Sequence, residues 1–346
     1  MRMFKRTFDL TANSFGRILA TTLFTLGLVN CGGGAGGSTM TPIVSTVAAP
    51  VAPGTITEYA IPTGNAGPFL IAAGPDGNLW FAENSGGKIG KITTGGAFTE
   101  YAIPTSASFP FGIASGPDGN LWFTENGANR IGKITMSGTF TEYPIMTGSE
   151  GLSGISAGPD GNLWFTEEND NQIAKITTGG AFTEYAIPTN LSQPTGIAAG
   201  PDGNLWFTER GSNKIGKITT GGTITEYAVP TGNATPYGIT AGPDGNLWFT
   251  EVGDNEIGKM TTSGTFTEYA IPTVNSAPVG IASGPDGNLW FTENAGNKIG
   301  KITTSGTFTE YVVPTGNATP FGIVAGPDGN LWFTETNGNK IGKITP

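Results

Sequence analysis

Histidine is absent from the 346 residues and cysteine occurs once. Without histidine, the commonest side chain for proton transfer near neutral pH is missing from any site the chain can build. A lone cysteine excludes an intramolecular disulfide framework, so the fold must hold through packing even in an oxidising compartment. Basic residues are also scarce, 17 against 27 acids. No apolar run reaches the ~20 residues that a membrane-spanning helix requires; the one candidate, ILATTLFTLGLV from Ile18 to Val29, is 12 residues long. Helix-forming patterns are nearly absent beyond residue 31. What is abundant is glycine, 56 residues, with 24 prolines, a composition suited to many short strands joined by tight turns.

The first thirty residues read differently from the rest. Arg2, Lys5, Arg6 and Arg17 precede the short apolar run, which ends at Asn30-Cys31, the layout of an export signal. LVNC resembles the lipobox of bacterial lipoproteins, although Asn30 stands where a small residue is usual, and the resemblance implies a lipid on Cys31. The other reading is an ordinary secretory signal with a spare cysteine. Residues 31–54, the anchor cysteine followed by GGGAGGSTMTPIVSTVAAPVAPG, read as a flexible tether, and residues 55–346 as the folded domain. Without residues 1–30, which hold four basic residues and Asp9, the chain has 13 basic and 26 acidic residues, a net charge of −13. Such a surface repels nucleic acid and anionic lipid head groups. The expected location is therefore the cell envelope, with membrane contact only through the lipid.

One decapeptide, GPDGNLWFTE, begins at Gly116, Gly158, Gly200, Gly242, Gly284 and Gly326, with GPDGNLWFAE at Gly74. All seven tryptophans, from Trp80 to Trp332, belong to it and lie 42 residues apart without an insertion. A period of ~40–45 residues matches a four-stranded propeller blade. In the fifth copy the strands are a short apolar run, YGITAG (A), LWFTE after the PDGN turn (B), IGKMTT (C) and TFTEYAIPT (D). Pro at the first corner presets φ for the turn, and Asp and Gly accommodate the rest. LWFT alternates two apolar faces, as in a strand packed on both sides. The domain opens with a D strand, TITEYAIPT from Thr55, and stops with a C strand, KIGKITP. Pairing those orphans predicts an all-β, seven-bladed propeller whose N-terminal strand closes the C-terminal blade, leaving few exposed edges.

Differences among copies fall on one rim, formed by the D-to-A connections and the B–C loops. The residues opening strand A beside the axial channel are Phe69, Phe111, Ser153, Thr195, Tyr237, Val279 and Phe321. The residue after the strand-B glutamate includes Glu168 and Arg210, and the third copy, which departs furthest, adds Glu150. Variable loops on a rigid scaffold are where binding surfaces sit, so these ten residues are the candidate ligand site. The alternative is that the loop residues are merely solvated and the aromatics only plug the channel. The strand-B glutamates (Glu83, Glu125, Glu167, Glu209, Glu251, Glu293, Glu335) resemble an acid or metal site, but their presence in all seven copies favours a structural role. No catalytic pair and no metal ligand is singled out.

LWFTEN, NKIGKIT and ITEYAIPT followed by PxGI resemble the virginiamycin B lyase family over residues 55–346. The resemblance implies a seven-bladed propeller that linearises streptogramin B antibiotics by elimination across the lactone C–O bond, with Mg²⁺ and a histidine base. The family's histidines fall at the positions of Val279 and Phe321, with an acid at Thr319. None of the three side chains here transfers a proton. Two functions remain in view: an envelope-tethered monomer that binds a small molecule, peptide, glycan or envelope protein without chemistry and without a cofactor, or a lactone-acting lyase with a divalent metal and another base. A purely structural role is the third reading.

Overall fold

The computed structural model describes residues 51–346 except 147, 149 and 150. The expected leader, Cys31, most of the tether and the candidate Glu150 lie outside the described residues. Among the described residues all regular structure is β, in seven four-stranded antiparallel sheets. Blade 1 comprises strands A to D at Pro68–Ala73, Leu79–Glu83, Lys88–Ile92 and Phe98–Ala102. Blades 2 to 6 repeat the plan. Blade 7 has Pro320–Ala325, Leu331–Glu335 and Lys340–Ile344, and its D strand is Ile56–Ala60 from the start of the domain.

That closure is antiparallel, in register from Ile56↔Ile344 to Ala60↔Lys340. Tyr59 stacks on Trp332 with ring centroids 5.6 Å apart. Glu58 accepts hydrogen bonds from Lys340 at 2.8 Å and from Thr315. Gly54, placed in the tether by sequence, donates its N–H to the Thr345 carbonyl at 2.7 Å. The ordered domain thus begins slightly earlier than residue 55.

The repeated decapeptide has a physical reason at each position. All five residues of every B strand are buried. Leu79 and Phe81 pack in one cluster with Trp332 of blade 7, while Trp80 packs with Ile113, Leu121 and Phe123 of blade 2. Each tryptophan therefore fills the gap to the next blade, and truncating one removes ~3–5 kcal/mol of packing. Burying an indole leaves its N–H without water, and the turn aspartate supplies the partner: Asp76 Oδ1 accepts from Trp80 Nε1 at 3.0 Å and from the Asn78 N–H at 3.2 Å. The same indole–aspartate bond recurs in every blade.

Inner strands are joined by hydroxyls. Thr124 Oγ1 accepts from the Gly112 N–H at 2.8 Å and donates to the Ser153 carbonyl of blade 3 at 2.9 Å. A side chain at Gly112 would collide with that carbonyl, at 2.5 Å from an added Cβ. Five further threonines, Thr166, Thr208, Thr250, Thr292 and Thr334, bond the next blade's carbonyl in the same way. Blade 1 has Ala82 and Leu70 in place of this threonine and glycine.

Candidate functional site

A register shift separates the first residue of every A strand, proline in all blades but the third, where it is Leu152, from the isoleucine three residues on, as between Pro68 and Ile71. Such a bulge re-aims a side chain, and here the re-aimed residue is the one beside the axis. The residue two positions earlier has a left-handed φ in every blade, including Phe109 (43°), Thr235 (45°) and Thr319 (50°). For β-branched threonine this conformation is strained. The strain belongs to the scaffold, since whichever residue stands there adopts it.

Bulge and turn together bring all seven strand-A openers to one mouth, but not as equals. Phe69 lies 5.0 Å from Phe111 and 4.8 Å from Phe321, ring centroid to centroid, and Phe321 lies 5.9 Å from Tyr237. These four rings pack on one another across the axis. Val279, Ser153 and Thr195 are buried, and the Thr195 hydroxyl is 2.9 Å from that of Thr208. Because serine and threonine are small, the bulk of blades 7, 1 and 2 is unmatched on the side of blades 3 and 4. A cavity of about 210 Å³ lies on the axis and, among the openers, reaches that side. Phe111, Ser153, Thr195, Tyr237 and Val279 line it together with the strand-A isoleucines of all seven blades. Phe69 and Phe321 do not line it.

The residue after the strand-B glutamate divides along the same boundary. Asn84, Asn126, Asn294 and Thr336 donate to a carbonyl of the next blade's A strand, at 3.2, 2.8, 3.2 and 2.8 Å. Blades 3 to 5 carry Glu168, Arg210 and Val252 there, and Arg210 instead approaches Glu168 at 3.9 Å. Burial raises the Glu168 pKa, opposed by the Arg210 charge. Burial pushes the Tyr237 phenol far up; Glu168 adds to this and Arg210 opposes it. A tyrosine hydroxyl, a carboxyl and a guanidinium thus border one lip of the cavity. The lining supplies hydroxyls and backbone, and the carboxyl at its lip, Glu168, faces the Arg210 guanidinium at 3.9 Å, a donor set that does not fit the Mg²⁺ implied by the sequence resemblance, since that ion is held by carboxylate and phosphate oxygens.

None of the seven strand-B glutamates lines this cavity. All are buried, and burial, with the strand-D carboxyl of the same blade pushing the same way, raises them to about 7 (Glu83, Glu209) or about 8 (Glu125, Glu167, Glu251, Glu293, Glu335).

A sequence model of the virginiamycin B lyase family matches residues 44–190 and again 147–346. A solved streptogramin B lyase is 42% identical, covering 84% of this chain and 97% of its own, with a TM-score of 0.81. Virginiamycin B lyase from Staphylococcus aureus is 41% identical over 84% of this chain and 99% of its own, also at 0.81. A catalytically inactive histidine-to-alanine variant of the S. aureus protein, solved with quinupristin, is 40% identical over the same shares, again at 0.81.

Proposed function

Because the chain belongs to the virginiamycin B lyase family yet contains no histidine, we propose that it binds a ligand at the axial mouth without opening a lactone. The observation that carries this reading is the one-sided cavity of about 210 Å³ between Phe111 and Tyr237. Cavities for whole drug-sized ligands run to ~300–1,000 Å³, and one of ~150 Å³ holds a benzene. This one therefore takes a single ring or branched aliphatic group of a larger molecule, whose remainder rests on the rim. The Tyr237 hydroxyl, Arg210 and Glu168 orient the polar part. Streptogramin B compounds, for which one solved relative is named, and quinupristin, with which another was solved, are the first candidates; peptides and glycans follow.

The test is calorimetric titration of streptogramin B compounds, with mass spectrometry of the recovered compound. Binding without a linear product supports the proposal, and turnover refutes it. Ser153→Phe fills the cavity and should abolish binding while the melting temperature holds. Binding unchanged in Ser153→Phe would place the ligand elsewhere.

The lyase alternative has one observation in its favour. Glu168, whose pKa burial raises and which lies beside Tyr237, is the carboxyl at this mouth placed to accept a proton. Turnover that vanishes in Glu168→Gln would establish it. Export and lipidation at Cys31 complete the proposal: Cys31→Ser should move the protein from the membrane fraction to the soluble one, and an unchanged distribution would refute the anchor.

A further inference from the structure

We propose that the fifth blade holds a calcium-class divalent cation between Glu251, Glu256 and Glu268, in the place of a lysine ammonium found in other blades. The comparison lies within the molecule. Strand C begins with Lys88, Arg130, Gln172, Lys214, Glu256, Lys298 and Lys340. In blades 1, 6 and 7 this lysine bridges two neighbours. Lys88 Nζ donates to Thr63 Oγ1 at 2.6 Å and to Glu100 Oε2 at 3.1 Å; Lys298 and Lys340 make the same pair of bonds. Lys214 does so to Thr189 Oγ1 at 2.5 Å and lies 3.5 Å from Glu226. The ammonium thus ties strand D to the connection entering from the neighbouring blade.

Blade 5 keeps both partners and reverses the charge between them. Thr231 donates its N–H and hydroxyl to the Glu268 carboxylate at 3.1 and 2.8 Å, as Thr63 does to Glu100. Where the ammonium would stand there is the carboxylate of Glu256. One oxygen each of Glu251, Glu256 and Glu268 lies within 4.8 Å of the others. Glu251 is wholly buried, and neither of its carboxylate oxygens has a hydrogen-bond partner; one oxygen each of Asp254 and Glu256 is likewise buried and unpartnered. A Cβ on Gly258 would lie 2.5 Å from Glu251 Oε1, so this carboxylate is pressed over the strand-C backbone and faces the other two.

Three carboxyl groups converge on a space that neighbouring blades fill with a positive charge, and a cation there would compensate the charge that they carry once deprotonated. The donors are hard oxygens, with the Thr231 hydroxyl lone pair as a further one. Calcium binds oxygens at ~2.3–2.6 Å in flexible geometry, whereas magnesium demands near-ideal octahedral geometry at ~2.0–2.1 Å and gives up its waters reluctantly. The irregular mix of one buried and two half-buried carboxyl groups fits the larger, more tolerant ion. Bound there, it would replace the missing staple between blades 4 and 5 and fix the connection that leads from Thr231 to Tyr237.

The experiment is calorimetric titration of the purified, chelator-stripped full chain with CaCl₂ and separately with MgCl₂, alongside thermal unfolding. The expected result is one Ca²⁺ per chain with a Kd of about 10⁻⁴ M or tighter, and a rise of several degrees in melting temperature. Glu256→Lys, which restores the ammonium, should bind no Ca²⁺ and melt at a temperature indifferent to it. Should that variant fail to fold, Glu256→Gln, which removes one ligand charge, should weaken binding by ~10-fold or more. No Ca²⁺ bound at ~10 mM, equal affinity for Mg²⁺, or undiminished binding in either variant would overturn the proposal.

Discussion

Replacing Glu335 by glutamine should make the protein more stable at alkaline pH and leave it unchanged in mild acid. Glu335 is fully buried at the end of strand B in blade 7. It faces Glu58, whose own carboxylate already accepts from Lys340 and Thr315. Two carboxylates cannot donate to one another, so the contact is satisfied only when one holds a proton. Burial would raise Glu58 too, but the bonds from Lys340 and Thr315 bring it below its usual value. Burial and the Glu58 charge raise Glu335 to about 8, with Lys340 opposing, so the proton resides on Glu335. A raised acid in the fold binds more protons than its unfolded counterpart between about pH 4.5 and 8, and stability falls through that window as pH rises. At ~1.4 kcal/mol per pKa unit the full shift corresponds to about 5 kcal/mol, and water entry and side-chain relaxation reduce this to ~1–3 kcal/mol. Glutamine is nearly isosteric with the protonated acid and has no proton to lose. The melting temperature of Glu335→Gln minus that of wild type should be near zero at pH 5 and rise by about 2–8 °C at pH 8.5. The difference between the two proteins cancels the six other strand-B glutamates, which titrate in both. A pH-independent difference, or a variant less stable at pH 8.5, would refute a protonated Glu335.

Deleting residues 55–63 removes the closing strand, the Tyr59–Trp332 stack and buried Ile61, and should lower the melting temperature far more than deleting 32–50; equal stabilities would refute closure by this strand. Asp244→Ala orphans the Trp248 indole N–H, now bonded at 3.0 Å, and should reduce stability by ~1–3 kcal/mol in denaturant titration while leaving ligand affinity at the opposite rim unchanged.

The architecture was legible because a strict 42-residue period carries its own alignment. Trp80 and its six counterparts could be assigned to the gaps between blades, and the orphan strands at residues 55–63 and 340–346 could be paired with no knowledge of contacts. The same alignment picked out the seven strand-A openers as one column. Their inequality was not legible. That Phe69 and Phe321 turn onto each other, while Ser153 and Thr195 leave a cavity, depends on how unequal side chains share the centre of a ring. Reading positions column by column missed that blades 3 to 5 deviate in two columns at once, at the strand-A opener and at the residue after the strand-B glutamate. The recurrence of Asn84, Asn126 and Asn294 at the latter position was an available signal for an inter-blade bond. The charge reversal at Glu256 was visible too, but its partners Glu251, Glu268 and Thr231 meet only through sheet register and the approach of the preceding blade.

Among the described strands, the one that closes the ring is the first to be synthesised and the last to find its partner. Ile56 and Ile344 are joined across 288 positions of chain, so at ~5–20 residues per second the ribosome needs roughly 15–60 s to make the second after the first. Throughout that interval Ile56–Ala60 is a β-prone segment without a mate, and seven near-identical C strands offer it almost the same register. Only the last of them stays free, because each of the others acquires its own D strand about ten residues later. Correct assembly therefore follows from the timing of emergence as much as from affinity. Refolding the finished chain from denaturant, where all seven C strands are available at once, should trap misclosed rings that vectorial synthesis avoids.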